Sequence, residues 1–269
     1  MNRLVTTAAY VAIALLFMLA GRLVSNVLFR SKRAKAQQNL ALSIRHGGLY
    51  LAIAIAMTSA LQGNGTGFVH DVVEVLRDGA VIVFALIAAQ WLNEWLIVPG
   101  LDNDQAVADG NTAVALTEFG SYLATGMIAS ASFGGGEGSW LTAIVFFIVG
   151  QFALIAGFWA QELLLPGSFV QGVIRGSDGA GVAVAGVLIA LGVILRASIV
   201  GPFLGWGPSL RALGLYAAGG ILFLILFQEI FAYVFVKRRH LDDQYHAVAT
   251  SSVVACGQIA IALVITALL

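Results

Sequence analysis

The sequence predicts an all-α polytopic membrane bundle of eight transmembrane helices, built from four two-helix repeats that enter the membrane in the same orientation. Three observations lead there. The chain is 59% hydrophobic and only 10% charged, with a mean hydropathy of +0.92, whereas a soluble domain carries about 25% charged residues. Eight apolar runs are long enough to cross a hydrocarbon core, which takes about 20 helical residues. A polar pattern recurs at matching places in successive pairs of runs.

The runs lie near 4–28, 39–61, 78–98, 112–133, 140–165, 179–201, 209–236 and 246–269. The first follows Met-Asn-Arg and exceeds the roughly 7–15 residues of a signal-peptide core, so it reads as a retained span. Pro99, Pro166, Pro202 and Pro208 fall at or beyond run ends, where a residue without an N–H donor is tolerated. Arg22, Arg30, Lys32, Arg33, Lys35, Arg45, Arg175, Lys237, Arg238 and Arg239 gather on one side. Arg3, Arg77, Arg196 and Arg211 lie on the other. The positive-inside rule then puts both termini on the non-cytoplasmic face of the membrane. Trp91, Trp95 and Trp159 at one set of ends, with Trp140 and Trp206 at the other, form two interfacial belts.

Arg22, Glu94, Glu162 and Glu229 each come late in an odd-numbered run. Asn39, Asn111, Asp178 and His246 each open the following run, sixteen or seventeen residues on. Asn39, Ala41, Gly48, Tyr50, Leu51 and Ala52 match Asn111, Ala113, Gly120, Tyr122, Leu123 and Ala124. Residues 1–133 and 134–269 are therefore expected to form two membrane halves of two hairpins each. The 31 glycines favour close helix packing, and Gly120-xxx-Ala124, Gly181-xxx-Ala185 and Gly186-xxx-Ala190 mark the even-numbered spans as inner helices.

The stretch Asp109-Gly110-Asn111-x-Ala113-x-Ala115-x4-Gly120, set between two spans, resembles the YjfL-like bacterial inner-membrane family, catalogued as domain of unknown function 350. The resemblance covers nearly the whole chain as a duplicated two-span unit. It weakens where Asp178 and His246 replace the Asn. It implies an inner-membrane location and leaves room for a role near envelope stress. No catalytic residue carries over from it.

Composition excludes some functions and the polar residues point to others. Lys+Arg and Asp+Glu both number 14, and a neutral chain lacks the basic face that nucleic acid requires. Cys256 is the single cysteine, so no internal disulfide forms and a packing role is expected. No nucleophile elbow, zinc-helix motif or paired His/Cys set occurs, and no enzymatic activity, cofactor or metal is expected. Glycine-rich loops at 63–67 and 134–138 lack the Lys-Ser/Thr of a phosphate loop.

Charged groups inside a membrane are costly, about 2.5–3.5 kcal/mol each on insertion scales. Glu118 lies seven residues after Asn111 and shares its helix face, and His46 holds the same place after Asn39. The two are candidates to exchange a proton, hold a cation, or form a structural hydrogen bond. Glu94, Glu162 and Glu229 either reach the headgroups or converge with Arg22 on one vestibule. Asn39, Asn111 and Asp178 suit helix caps, while His246 does not. Glu74 and Asp78 read as a solvated helix start. The expected activity is proton- or cation-linked transport through Glu118, His46, Glu94, Glu162, Glu229 and Arg22. The alternative is a non-catalytic scaffold whose basic stretches, Arg30, Lys32, Arg33 and Lys35 with Lys237, Arg238 and Arg239, dock anionic lipid or a cytoplasmic protein. Association with further copies of the chain stays open at this stage.

Overall fold

The computed structural model describes residues 3–28, 39–61, 68–134, 139–164, 168–235 and 244–268. The described residues form eight long helices and two short ones. The long ones are α1 (Arg3–Leu28), α2 (Leu40–Ala60), α3 (Phe68–Ile97), α5 (Thr112–Phe133), α6 (Trp140–Leu164), α8 (Asp178–Ile199), α9 (Trp206–Phe235) and α10 (Gln244–Leu268). The short ones are α4 (Asn103–Ala108) and α7 (Phe169–Ile174). Six of the long helices, all but α3 and α5, are apolar enough along their length to cross a membrane.

The long helices form two rows. α2, α5, α8 and α10 stand side by side, with the most extensive packing between α5 and α2, α5 and α8, and α8 and α10. α1, α3, α6 and α9 lie along one side of this row, each touching its sequence partner in it. Leu15, Leu19, Phe84, Phe152, Leu222 and Leu263 are among the large apolar side chains left exposed, as a lipid-facing surface requires. Cys256 also faces outward rather than into the packing expected of it.

Glycine makes the inner row possible. A Cβ added at Gly120 would stand 2.5 Å from the Ala185 Cα, and one at Gly48 would stand 2.9 Å from the Phe119 Cα. Gly186 meets Ala255 the same way. Lower in the seams, Gly126 faces the Ala52 backbone and Gly192 the Ala124 backbone. Each pair of neighbours in the row thus meets through the same kind of backbone contact at the same height. Without a hydrophobic force between helices in lipid, such close approach is what holds them together.

The two short helices were not expected; the sequence reads 99–111 as an acidic loop. α4 begins where Asp102 accepts from Gln105 N at 3.0 Å, and α7 where Ser168 accepts from Gln171 N at 3.1 Å. Both end on a glycine with positive φ, Gly110 at 91° and Gly176 at 78°, a conformation that costs other residues energy. Behind each glycine the chain closes the same turn, Asn111 N to Ala106 O and Ser177 N to Gly172 O, both at 2.9 Å. α3 also starts ten residues earlier than the apolar run implies, because Asp71, Glu74, Arg77 and Asp78 extend the helix as a polar first third.

Replacing Gly120 by Val should force α5 and α8 apart. The expected loss is about 1–3 kcal/mol, the usual cost of overpacking, read as a lower melting temperature in detergent. Gly47→Ala, where an added Cβ meets nothing within 4 Å, should change stability by less than about 0.5 kcal/mol.

Candidate functional site: a buried ion cluster and its polar file

The inner row brings four charged side chains together near the start of α5. Arg45 sits on the face of α2 marked by Ala41, Gly48, Ala52 and Ala56, all turned inward. Its guanidinium reaches three carboxylates from three other elements. Nη2 donates to Glu94 Oε1 of α3 at 3.0 Å, and Nη1 donates to Asp104 of α4. Nε lies 3.0 Å from Glu118 Oε2 of α5, off the line of a hydrogen bond. The Arg45 and Glu118 side chains are 7% and 2% exposed, so the pair is shielded from solvent. At such depth a charge persists only when paired.

A file of uncharged polar groups leads from this cluster along α5. Gln90 donates to Glu94 Oε1 at 3.5 Å and accepts from Ser121 Oγ at 3.4 Å. Asn93 Nδ2 lies 3.0 Å from Ser121 Oγ and 3.2 Å from Thr125 Oγ1. Thr125 Oγ1 in turn donates to Gln151 Oε1 of α6 at 3.3 Å. Every member is buried. Several polar atoms in and beside the file, including Asn93 Oδ1, Gln151 Nε2 and Glu118 Oε1, have no hydrogen-bond partner among the described residues. Buried orphans of this kind are where internal water or an ion is held.

The placement of the sequence candidates departs from expectation at several points. Glu118 faces Arg45, not His46. His46 is half-buried and its ring stacks on Tyr50 with centroids 6.3 Å apart. Neighbouring helical positions point about 100° apart, and the register of small residues aims position 45, not 46, at α5. Arg22 is exposed on α1 and balances none of these carboxylates. Of Glu94 and Glu162, Glu94 joins the cluster and Glu162 does not. Glu162 accepts from Ser168 Oγ at 2.8 Å, Phe169 N at 3.1 Å and Val170 N at 3.3 Å, and so caps α7. Glu229 falls on α9 and His246 on α10, and their side chains lie outside the described residues. The basic stretches around Arg30, Lys32, Arg33, Lys35, Lys237, Arg238 and Arg239 lie outside them as well.

Among the positions that open the inner helices, Asn39 accepts from Leu42 N at 2.7 Å and Asn111 from Val114 N at 3.1 Å. Asn39 Nδ2 also donates to Val107 O and Ala108 O, at 3.0 and 3.1 Å, tying the start of α2 to the end of α4. Asp178 does not cap α8. Ser177 does, and Asp178 accepts instead from Thr112 Oγ1. The sequence reading missed Arg45, Asp104, Gln90 and Gln151. The one signal that pointed to Arg45 was its register with Ala41, Gly48 and Ala52.

Such an arrangement, long apolar helices around a buried ion cluster, defines a multi-pass helical membrane protein. The family model for Domain of Unknown Function (DUF350) matches the chain twice, over residues 1–133 and 137–269, and the chain belongs to that family. It is 23% identical over 202 residues to a UPF0719 transmembrane protein of Aquifex aeolicus (strain VF5), covering 72% of this chain and 73% of that one. No solved structure matches the chain.

Removing the guanidinium leaves three carboxylates without their cation. Arg45→Gln is expected to cost about 3–5 kcal/mol, as for other broken buried pairs, measured as the loss of melting temperature or denaturant resistance in detergent. Adding Glu118→Gln to that variant should recover part of the loss, because it removes one unpaired charge.

Proposed function

We propose that this protein is an inner-membrane device that conducts or couples a proton or a small cation through the Arg45 cluster and the polar file beside it. One observation carries the reading. Three carboxylates share one guanidinium among the described residues, so the fully ionised cluster holds two excess negative charges in a low-dielectric site. Such a site is relieved by taking up a proton or a cation. The acids sit near the end of α3, in the first turn of α4 and in the first half of α5, and the file runs from there toward the middle of the bundle.

All eight long helices are read as crossings, as four hairpins of like orientation. α3 and α5 are too polar for a simple hydropathy criterion, for different reasons. α3 has 30 residues, about 45 Å of helix at 1.5 Å per residue, so its acidic first third stands clear of a hydrocarbon core about 30 Å thick. α5 is buried along most of its length and has little lipid to satisfy. The positive-inside distribution supports a cytoplasmic Arg45 cluster with both termini on the opposite side.

The file is closed on the far side. From Thr125 to Ser132 on α5 is about 10.5 Å, and Ile128 and Ala129 between them are fully buried. Ile128 packs onto Gly150 of α6, where an added Cβ would meet its Cγ2 at 2.6 Å. Beyond Ser132 an open cleft begins. A polar route interrupted by one apolar layer suits coupled transfer, in which the two sides are never open together.

The test is ion flux in proteoliposomes under an imposed potassium potential, read with an internal pH dye and with cation-selective indicators. Wild-type protein should carry flux above empty vesicles, and Glu118→Gln and Glu94→Gln should bring it to the empty-vesicle level with folding retained. Flux absent from wild type, or unchanged in both variants, would falsify the proposal.

A further inference from the structure

Two places in the ion cluster and its file could hold a metal ion, and nitrogen atoms of the chain already fill both. Three carboxylates converge on the Arg45 guanidinium, with Nη2 3.0 Å from Glu94 Oε1, Nε 3.0 Å from Glu118 Oε2 and Nη1 bonded to Asp104. Deeper in, three oxygens converge on Asn93 Nδ2. Ser121 Oγ, Thr125 Oγ1 and Gln151 Oε1 stand 3.0, 3.2 and 3.5 Å from it. A metal ion is held by oxygens that surround it, so it would have to displace Arg45 or Asn93. A proton needs no such room.

The file is also built of groups that can exchange the roles of donor and acceptor. Gln90, Ser121, Asn93, Thr125 and Gln151 are all buried, and each is a carboxamide or a hydroxyl. The charge on Glu94 sets the direction of their bonds. An ionised carboxylate only accepts. Gln90 therefore turns Nε2 toward Glu94, at 3.5 Å, and offers Oε1 to the Ser121 hydroxyl, at 3.4 Å. Ser121 donates there, and so accepts from Asn93 Nδ2. The same nitrogen donates to Thr125, whose hydroxyl donates to Gln151 Oε1 at 3.3 Å. With Glu94 charged, every bond points away from Asn93. Asn93 Oδ1 and Gln151 Nε2 have no hydrogen-bond partner among the described residues, so either amide can turn over without breaking a bond at its far end.

We propose that the ion taken up at this site is a proton, received by Glu94, and that its arrival reverses the polar file as far as Gln151 of α6. This deepens the ion-coupling reading and rests on it for the uptake itself. The proton comes from water, forms one O–H bond on the Glu94 carboxylate and adds one positive charge to the cluster. The neutral carboxyl then donates to Gln90 Oε1, and Gln90 Nε2 donates to Ser121. Ser121 and Thr125 both donate to Asn93 Oδ1, and Gln151 Nε2 donates to Thr125. Among the described residues, the charged groups that face Glu94 are Arg45 of α2, Asp104 of α4 and Glu118 of α5. Arg22 of α1 is exposed, and Glu162 of α6 is engaged at α7. The charge state of a site in the first half of the chain is thereby relayed to a helix of the second.

Solution NMR of the full chain in nanodiscs, isotope-labelled at the Asn and Gln side-chain amides, tests this. Acid added at fixed sodium should shift the Gln90, Asn93 and Gln151 signals together, with one midpoint. Sodium or potassium added at fixed pH should shift none of them. Glu94→Gln should abolish the acid shift at all three. Ser121→Ala should keep the Gln90 shift and abolish those of Asn93 and Gln151, and the retained Gln90 shift shows that this variant is folded. Signals that answer to sodium at fixed pH, that ignore acid, or that still move together in Ser121→Ala overturn the proposal. An acid shift without liposome flux leaves the proton site and removes transport, whereas cation flux without an acid shift does the reverse.

Discussion

Everything in this bundle depends on how near the inner helices come to one another. Side chains on α5 would ordinarily keep α2 and α8 at a distance set by their own bulk. Gly48, Gly120, Gly126 and Gly192 remove that bulk where backbone meets backbone. The attraction gained is dispersion, small for each atom pair and large over a seam. Close approach also decides what the remaining side chains can reach. Arg45 spans to α3, α4 and α5 at once because α2 lies against α5 with almost nothing between them.

A buried cluster of one base and three acids adds little to stability on its own account, since desolvation offsets much of the Coulomb attraction. Its worth lies elsewhere. It ties α2 to α3, α4 and α5 through one guanidinium and so sets the rotation of α2 against α5. The second half of the chain has no matching cluster among the described residues, although its seams are alike. Val184, not an acid, stands in α8 where Glu118 stands in α5 relative to the seam glycines Gly186 and Gly120. The duplicated framework thus carries its buried charges asymmetrically among the described residues, while the cleft at the opposite end draws on both halves.

Much of the framework could be read from residues alone. Hydropathy located the long helices, and the small-residue spacing marked the inner ones. The polar file could not be read that way. Gln90, Asn93 and Gln151 look unremarkable singly, and they gain meaning only because α3, α5 and α6 bring them within hydrogen-bonding distance. α4 and α7 escaped notice because six residues are too few to show a period. Their caps, Asp102 and Ser168, read equally well as loop residues. Glu162 has the sequence surroundings of Glu94, yet it turns back onto its own loop to meet the free N–H groups of α7.

The sequence by itself determined that the chain lives in a bilayer, which stretches become helices, and which faces of α5 and α8 are smooth enough to touch. These are local properties, carried by the hydrophobicity, spacing and size of residues close together in the chain. Only the tertiary structure decided that Glu118 answers to Arg45 and not to His46, and that Arg22 stands outside the cluster. One residue of helix rotation turns a side chain by about 100°. That rotation is set jointly by all the seams, so no single segment contains it.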